Sequence, residues 1–257
     1  MAEGALLELR GVHTHIGAYH ILHGVDLVVP RGEVTMLLGR NGAGKTTTLR
    51  TVMGLWPASR GSVRFAGDSI GGPGDGPARR AATPATPDIA RRGIAYVPEN
   101  MGIFGDLTVQ ENMVLAARGA RDAAALDRHR LAWIFGLFPA LQKFWLHPAG
   151  KLSGGQKQML AVARAIVEPR ELLLVDEPSK GLAPAIVQNL IEAFRQLKAQ
   201  KTTVLLVEQN FAMARALGDS VAVMDNGRVV HHGAMADLAA DEALQQRLLG
   251  LSLDTHQ

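Results

Sequence analysis

Cysteine is absent from all 257 residues. That excludes disulfides, thiolate metal sites and a cysteine nucleophile, and it fits a reducing compartment. Long apolar runs are missing too. No stretch reaches the ~18 consecutive apolar residues of a membrane span. The richest run, 131–141, is interrupted by Gly136 and Pro139. The first residues, Met1-Ala2-Glu3-Gly4, lack a basic region followed by an apolar one, so no secretory leader is expected. The chain is therefore expected to be soluble by itself, with any membrane association supplied by a partner. Strong net charge is also lacking: 27 Lys and Arg against 24 Asp and Glu leave +3. An anionic partner is permitted but not required, and there is no strong basic stripe of the kind nucleic acid needs. No internal repeat is present.

What the sequence does hold is a globular balance, 47% hydrophobic and 20% charged, which excludes wholesale disorder. Residues 6–12, 25–29 and 33–38 read as strands, the last ending at Gly39. Residues 46–53 read as a helix with Leu49, Val52 and Met53 on one side and Gly54 as its stop. Short apolar runs recur at 62–65, 94–97, 171–175, 203–207 and 221–224, several alternating with helix-length segments. This pattern predicts an α/β fold with a largely parallel core sheet. Residues 100–168 read as mostly helical and sit between strand-bearing blocks, as an inserted lobe would. Residues 68–88 carry Gly71-Gly72-Pro73-Gly74 and two further Pro-containing clusters. They are expected to form a mobile surface loop without helix or central strand.

The segment Gly39-Arg40-Asn41-Gly42-Ala43-Gly44-Lys45-Thr46 fits G-x-x-x-x-G-K-[ST] and lies between a strand and a helix. Its glycines let successive N–H groups curl inward toward phosphate oxygens, and the helix N-terminus adds partial positive charge. Lys45 brings a full charge to the β- and γ-phosphates of a nucleotide, and the Thr46 hydroxyl suits magnesium. Thr47 follows in the same loop-to-helix turn. A second apolar run, Leu172-Leu173-Leu174-Val175, ends in Asp176-Glu177. Asp176 would hold Mg²⁺ directly or through water, and Glu177 would polarise the attacking water. A third element, Ser153-Gly154-Gly155-Gln156, lies 23 residues before Asp176 and opens an amphipathic helix over 158–167. Ser153 is a natural N-cap, and the glycine pair exposes backbone N–H groups to an anion.

These three elements, in this order, resemble the ATP-binding cassette ATPases along essentially the whole chain. Finer motifs resemble the LivF-type ATP-binding subunits of branched-chain (hydrophobic) amino acid importers. They are Ile94-Ala95-Tyr96-Val97-Pro98-Glu99, Leu107-Thr108-Val109-Gln110-Glu111-Asn112, Asp176-Glu177-Pro178-Ser179-Lys180-Gly181-Leu182-Ala183-Pro184 and Leu206-Val207-Glu208-Gln209-Asn210. Trp133 with Leu137-Phe138-Pro139-Ala140-Leu141 belongs to the same pattern. The resemblance implies a single cassette, 1–257: a RecA-like core with an N-terminal antiparallel β subdomain (1–99 and 169–257) and a helical lobe (100–168). It implies ATP and Mg²⁺ as ligands and head-to-tail pairing with a second cassette, each ATP lying between one chain's phosphate loop and the other's Ser153–Gln156 segment. It implies two membrane permease subunits as partners, a solute-binding protein acting through them, and a place at the cytoplasmic face of the membrane. A soluble cassette ATPase, a non-hydrolysing regulatory cassette and an exporter ATPase remain as alternatives.

Against the broad family the chain has four departures. Glu99 stands where a Gln contacts Mg²⁺ and water, and its added negative charge needs a nearby cation. Gln209 stands where a His contacts the γ-phosphate, and an amide donates a hydrogen bond but carries no proton charge. Ala183 replaces an acid at the dimer-contact loop. Ile16, 23 residues before Gly39, stands where an aromatic stacks on adenine. Glu99, Gln209 and Ala183 also occur in the LivF-type pattern, and they imply unequal ATP sites and a different, more conventional partner cassette. The remaining features have bland readings. His13, His15, His20 and His23 lack paired carboxylates and are expected to be exposed strand or loop residues. Trp133, Phe135, Phe138, Phe144 and Trp145 are expected to be mostly lobe core, with one or two at a docking groove. Arg79, Arg80, Arg91 and Arg92 are expected to face solvent.

Overall fold

A computed structural model describes residues 4–73 and 84–250. The chain opens with two long strands, β1 (Ala5–Ile16) and β2 (Tyr19–Pro30), followed by β3 (Val34–Gly39) and α1 (Lys45–Val52). Next come β4 (Ala58–Phe65), β5 (Asp68–Gly71), α2 (Thr86–Arg91) and β6 (Ile94–Val97). The helical stretch holds α3 (Val109–Ala116), α4 (Arg128–Leu137), α5 (Pro139–Lys143) and α6 (Gly154–Ala165). The chain then continues through β7 (Leu172–Asp176), α7 (Pro184–Ala199), β8 (Thr203–Val207) and α8 (Phe211–Leu217). It ends in β9 (Ser220–Asp225), β10 (Arg228–Ala234), α9 (Met235–Ala240) and α10 (Glu242–Leu249).

Two sheets organise these elements. The first is antiparallel, in the order β2-β1-β4-β5. The second runs β10-β9-β3-β8-β7-β6 and is parallel from β9 to β6, with β10 antiparallel at its edge. Its central strands are buried on both faces, as their near-continuous apolar runs require. Alternate residues go to separate cores. Met36, Leu38, Val175 and Leu206 join the helical side, whereas Leu37, Leu174 and Leu205 join the β1–β2 side. The expected parallel core is therefore present, with its phosphate-loop strand β3 between β8 and β9.

The reading of residues 68–88 as a loop without strand or helix is corrected at both ends. Asp68–Gly71 pairs with β4 at the edge of the antiparallel sheet, where a glycine-ended strand is tolerated. Thr86–Arg91 is a helix with Pro87 in its first turn, where the missing N–H costs nothing. Residues 74–83, including Arg79 and Arg80, lie outside the described residues. Arg91 and Arg92 pair with Asp88 and Asp68. In the lobe, Phe138 is fully buried, and Trp133, Phe135, Phe144 and Trp145 pack half-buried against the same core. The four histidines are more organised than expected. His20 stacks on His15 with centroids 4.2 Å apart and lies 4.0 Å from His23. His13 Nδ1 is 3.0 Å from His20 Nε2. No helix among the described residues is long and apolar enough to cross a membrane.

Candidate active site

Strand β3 delivers the phosphate loop at its C-terminal end. Gly39 has φ +143°, and a Cβ there would sit 2.2 Å from the Met224 carbonyl oxygen. Gly44 has φ +104° and caps α1, and its Cβ would meet Leu22 at 2.9 Å. Only glycine fits either position, so the loop's curvature is set by sterics at its two ends. The Lys45 side chain is buried, and its Nζ donates to the carbonyls of Gly39 and Arg40 at 2.8 and 3.0 Å. The loop thus holds its own cation in place through its backbone carbonyls.

Strand β7 delivers the acids. Thr46 Oγ1 donates to Asp176 Oδ1 at 3.0 Å, and the Tyr96 hydroxyl donates to Oδ2 at 3.3 Å. Asp176 is fully buried. Burial pushes its carboxyl pKa up, the Thr46 and Tyr96 hydrogen bonds pull it back, and the nearby Glu177 and Glu99 charges push it up again. Tyr96 is itself pushed up to about 12, by burial first and then by the Asp176 charge. A hydroxyl beside a carboxylate is an oxygen-only donor set, which suits a hard divalent cation. Among the described residues no group of three His, Cys, Asp or Glu side chains could hold a metal ion. A cation here therefore needs further oxygen ligands from outside these side chains.

Glu177 is held in the left-handed region, φ +47°, a strained conformation for a non-glycine residue. Its backbone N–H donates to the Val207 carbonyl at 2.9 Å. The Gln209 amide nitrogen donates to Glu177 Oε1 at 2.7 Å and to Asn41 Oδ1 at 2.6 Å. Two acceptors flanking one amide group fix which end of Gln209 faces the site. Lys45 Nζ lies 3.5 Å from Glu177 Oε1, and Lys180 Nζ lies 3.6 Å from Oε2. Lys180 Nζ is also 2.5 Å from Glu99 Oε1. That hydrogen bond and charge, with the Glu177 charge beside them, raise the Lys180 pKa. Lys180 is the cation that the negative charge of Glu99 requires. These groups enclose a cavity of about 330 Å³ walled by Asn41, Gly42, Gly44, Lys45, Thr46 and Thr47, with Ile21, Glu99, Glu177 and Lys180 opposite. A phosphate-binding loop, a metal-compatible carboxylate and a poised second carboxylate converge on one space. These are the groups that a nucleotide phosphate site needs for hydrolysis.

The family described as ABC transporter matches residues 22–180, more than half of the chain. The chain belongs to that family. Over 246 residues this cassette is 38% identical to the high-affinity branched-chain amino acid transport ATP-binding protein BraG of Pseudomonas aeruginosa, covering 95% of this chain and all of that protein. It is 34% identical to a probable branched-chain amino acid transport ATP-binding protein, LivF, of Archaeoglobus fulgidus, covering 95% of this chain and 99% of that one. A solved ATP-binding subunit of an ABC transporter superposes with TM-score 0.75 at 32% identity, covering 97% of this chain and 96% of the other. The cassette is an ATPase whose hydrolysis is coupled to transport.

Not every expected residue reaches the cavity. Ile16 does not wall it: it ends β1 opposite Tyr19, which is 76% exposed. Ile21 on β2 walls it instead. Gly39 and Arg40 face a neighbouring cavity of about 280 Å³ beside Gln209 and Phe211. Ala43 is buried under the loop. Ser153, Gly154, Gly155 and Gln156 form the start of α6 and contribute nothing to their own chain's cavity. Ser153 and Gln156 make a reciprocal capping box, with N–H to side-chain distances of 2.9 and 3.3 Å. The glycine pair divides in function. Gly154 is open to solvent, whereas a Cβ on Gly155 would lie 2.7 Å from the Ile186 side chain of α7. Ile21 and Lys180 also wall the cavity and are not among the residues expected from the sequence, because Ile21 sits in a strand of mixed faces and Lys180 in a loop after β7.

Proposed function

We propose that the cassette powers the import of branched-chain or other hydrophobic amino acids, or related small amides. It would sit at the cytoplasmic face of the membrane, held by two permease subunits and fed by a solute-binding protein. The observation that carries the reading is its resemblance, over nearly its whole length, to two ATP-binding proteins named for branched-chain amino acid transport. A third cavity supports permease docking. It measures about 410 Å³, lies between the sheet and the helical lobe, and is walled by Tyr96, Pro98, Met101, Arg118, Arg164 and Arg170. Tyr96 joins it to Asp176, so a segment seated there reaches the hydrolytic site through one hydrogen bond.

At the site, Lys45 and the loop N–H groups bind and neutralise the phosphates. Thr46 and Asp176, with Glu99 on the cavity wall, would hold Mg²⁺, which supplies Lewis-acid stabilisation of phosphate oxygens. Glu177 accepts the proton of the attacking water. The Gln209 amide, on the wall of the neighbouring cavity, holds Glu177 in place as a neutral donor. Ser153, Gly154 and Gly155 offer a helix N-terminus to the ATP of a second cassette. Gln209 and Ala183 together favour a different cassette as that partner, giving two unequal sites.

Purifying the tagged chain from detergent-solubilised native membranes tests the reading. Recovery of two polytopic proteins and a distinct second cassette is the expected outcome. Recovery from the cytosol alone, or on ribosomes or a soluble scaffold, overturns the import reading and leaves the ATPase.

A further inference from the structure

Glu208 follows β8 and is only 2% exposed. No lysine, arginine or histidine pairs with it among the described residues. Four donors converge on it instead. The Ser179 backbone N–H donates to Oε1 at 2.9 Å, and the Ser179 hydroxyl donates to Oε2 at 2.9 Å. The N–H groups of Gln209 and Asn210 donate to the same Oε2 at 3.1 Å each. Burial drives the carboxyl pKa up, and these four hydrogen bonds oppose it. A buried carboxylate without a cation is costly unless its oxygens are fully used, and here they are.

The placement of those donors matters more than their number. Ser179 belongs to the loop 177–183, which starts at Glu177 and leads to α7. Gln209 and Asn210 form the turn that leads into α8, where Asn210 is the N-cap. The two segments touch elsewhere through the 2.7 Å bond between Gln209 and Glu177. One buried side chain therefore ties together the two loops whose side chains meet at the hydrolytic position. We propose that Glu208 is a positioning residue for ATP hydrolysis, its carboxylate clamping the Ser179 loop to the Gln209 turn so that Glu177 and the Gln209 amide keep their register. This rests on the reading of Glu177 and Gln209 as the hydrolytic pair. Loop 177–183 also carries Ala183, at the position read as a contact with the second cassette. Movement imposed on that loop by a partner is thereby transmitted to Gln209 through Glu208.

Only a group with two acceptor oxygens and no hydrogen satisfies this site. A glutamine there turns its NH₂ toward at least one backbone N–H in either orientation. The test is steady-state hydrolysis of Mg-ATP by the full chain in its assembled complex, read as kcat and KM separately, with thermal unfolding measured alongside. Glu208→Gln is expected to lower kcat roughly 10-fold or more while KM for ATP changes by less than about 3-fold. Ser179→Ala is expected to give a smaller loss of the same kind, Ser179→Thr to restore it, and the double variant to be no worse than Glu208→Gln alone. Wild-type kcat in Glu208→Gln, or a parallel loss of ATP affinity, overturns the proposal. Should Glu208→Gln not fold, the Ser179 pair decides: wild-type kcat in Ser179→Ala overturns it. Glu177→Gln is the control. Wild-type turnover in that variant overturns the reading of the site and the clamp with it, whereas its loss beside an unaffected Glu208→Gln overturns the clamp alone.

Discussion

Glu177 combines three properties that a proton acceptor for water needs. It borders the cavity of the phosphate loop, it is fixed by the Gln209 amide at 2.7 Å, and it is held in a left-handed backbone conformation that the surrounding fold must enforce. Substitution by glutamine keeps its size and one acceptor oxygen, so the bond from Gln209 survives while the proton acceptor is lost. Glu177→Gln is expected to lower turnover by ~10²-fold or more. Binding of ATP, which the proposal assigns to Lys45 and the loop N–H groups, is expected to stay at the wild-type level. Turnover by phosphate release and affinity by calorimetric titration separate these two effects, and unchanged hydrolysis sinks the assignment. Gly39 and Gly44 mark the opposite kind of residue. They touch no phosphate through a side chain, yet a Cβ at either would collide with Met224 or Leu22.

At the scale of elements, the parts that were legible in the sequence are those whose information is contiguous. The phosphate loop is eight adjacent residues that join the end of one buried strand to the start of one helix, and β7 ends one residue beyond its apolar run, at Asp176. Strands with mixed faces were read too short. Residues 6–12 and 25–29 grew into Ala5–Ile16 and Tyr19–Pro30, because the histidine-rich hairpin end has no apolar alternation. Strand β10 and helices α9 and α10 were not anticipated: β10 is an exposed edge strand and α10 has no buried residue. Ile21 and Lys180 reach the cavity through pairing and loop geometry that no local pattern encodes. The hairpin end makes a prediction of its own. The 3.0 Å bond between His13 and His20 needs one ring nitrogen to donate and the other to accept, so both rings cannot be protonated and keep it. The pKa values of His13 and His23 are lowered from 6.5, by burial first, then by His20, with Arg60 facing His13, and Arg228 facing both. The unfolded chain therefore binds more protons than the folded one just below pH 6.5. Stability contributed by the neutral stack is present above that pH and lost as pH falls through the lowered values. The melting temperature is expected to drop on acidification from about pH 7 to about pH 5.5, and less steeply in His20→Gln. Equal slopes in the two proteins would remove the cluster from the pH response.

At the scale of the whole molecule, the decisive fact is a separation. The start of α6 carries Ser153 and an open Gly154, yet it borders none of its own chain's nucleotide cavity. A helix N-terminus favours an anion, and at this one the Ser153–Gln156 capping box leaves Gly154 open to solvent. This separation agrees with the proposal that the segment serves the ATP of a second cassette. Ser153→Arg tests that directly. The exposed serine can be replaced without a collision in the core, and loss of its capping bonds costs about 1 kcal/mol, well within what a folded domain tolerates. The isolated variant is expected to bind Mg-ATP as the wild type does, because residue 153 does not touch its own cavity. The assembled transporter carrying the variant is expected to lose at least ~10-fold in turnover, because a bulky side chain then stands between the helix end and the partner's nucleotide. Weakened ATP binding by the isolated chain would place Ser153 at its own site and refute pairing across the two cassettes. Full turnover in the assembled complex would show that the ATP facing this helix is not the one hydrolysed, and the catalytic work would then fall to the cavity walled by Lys45, Thr46 and Glu177 of this chain.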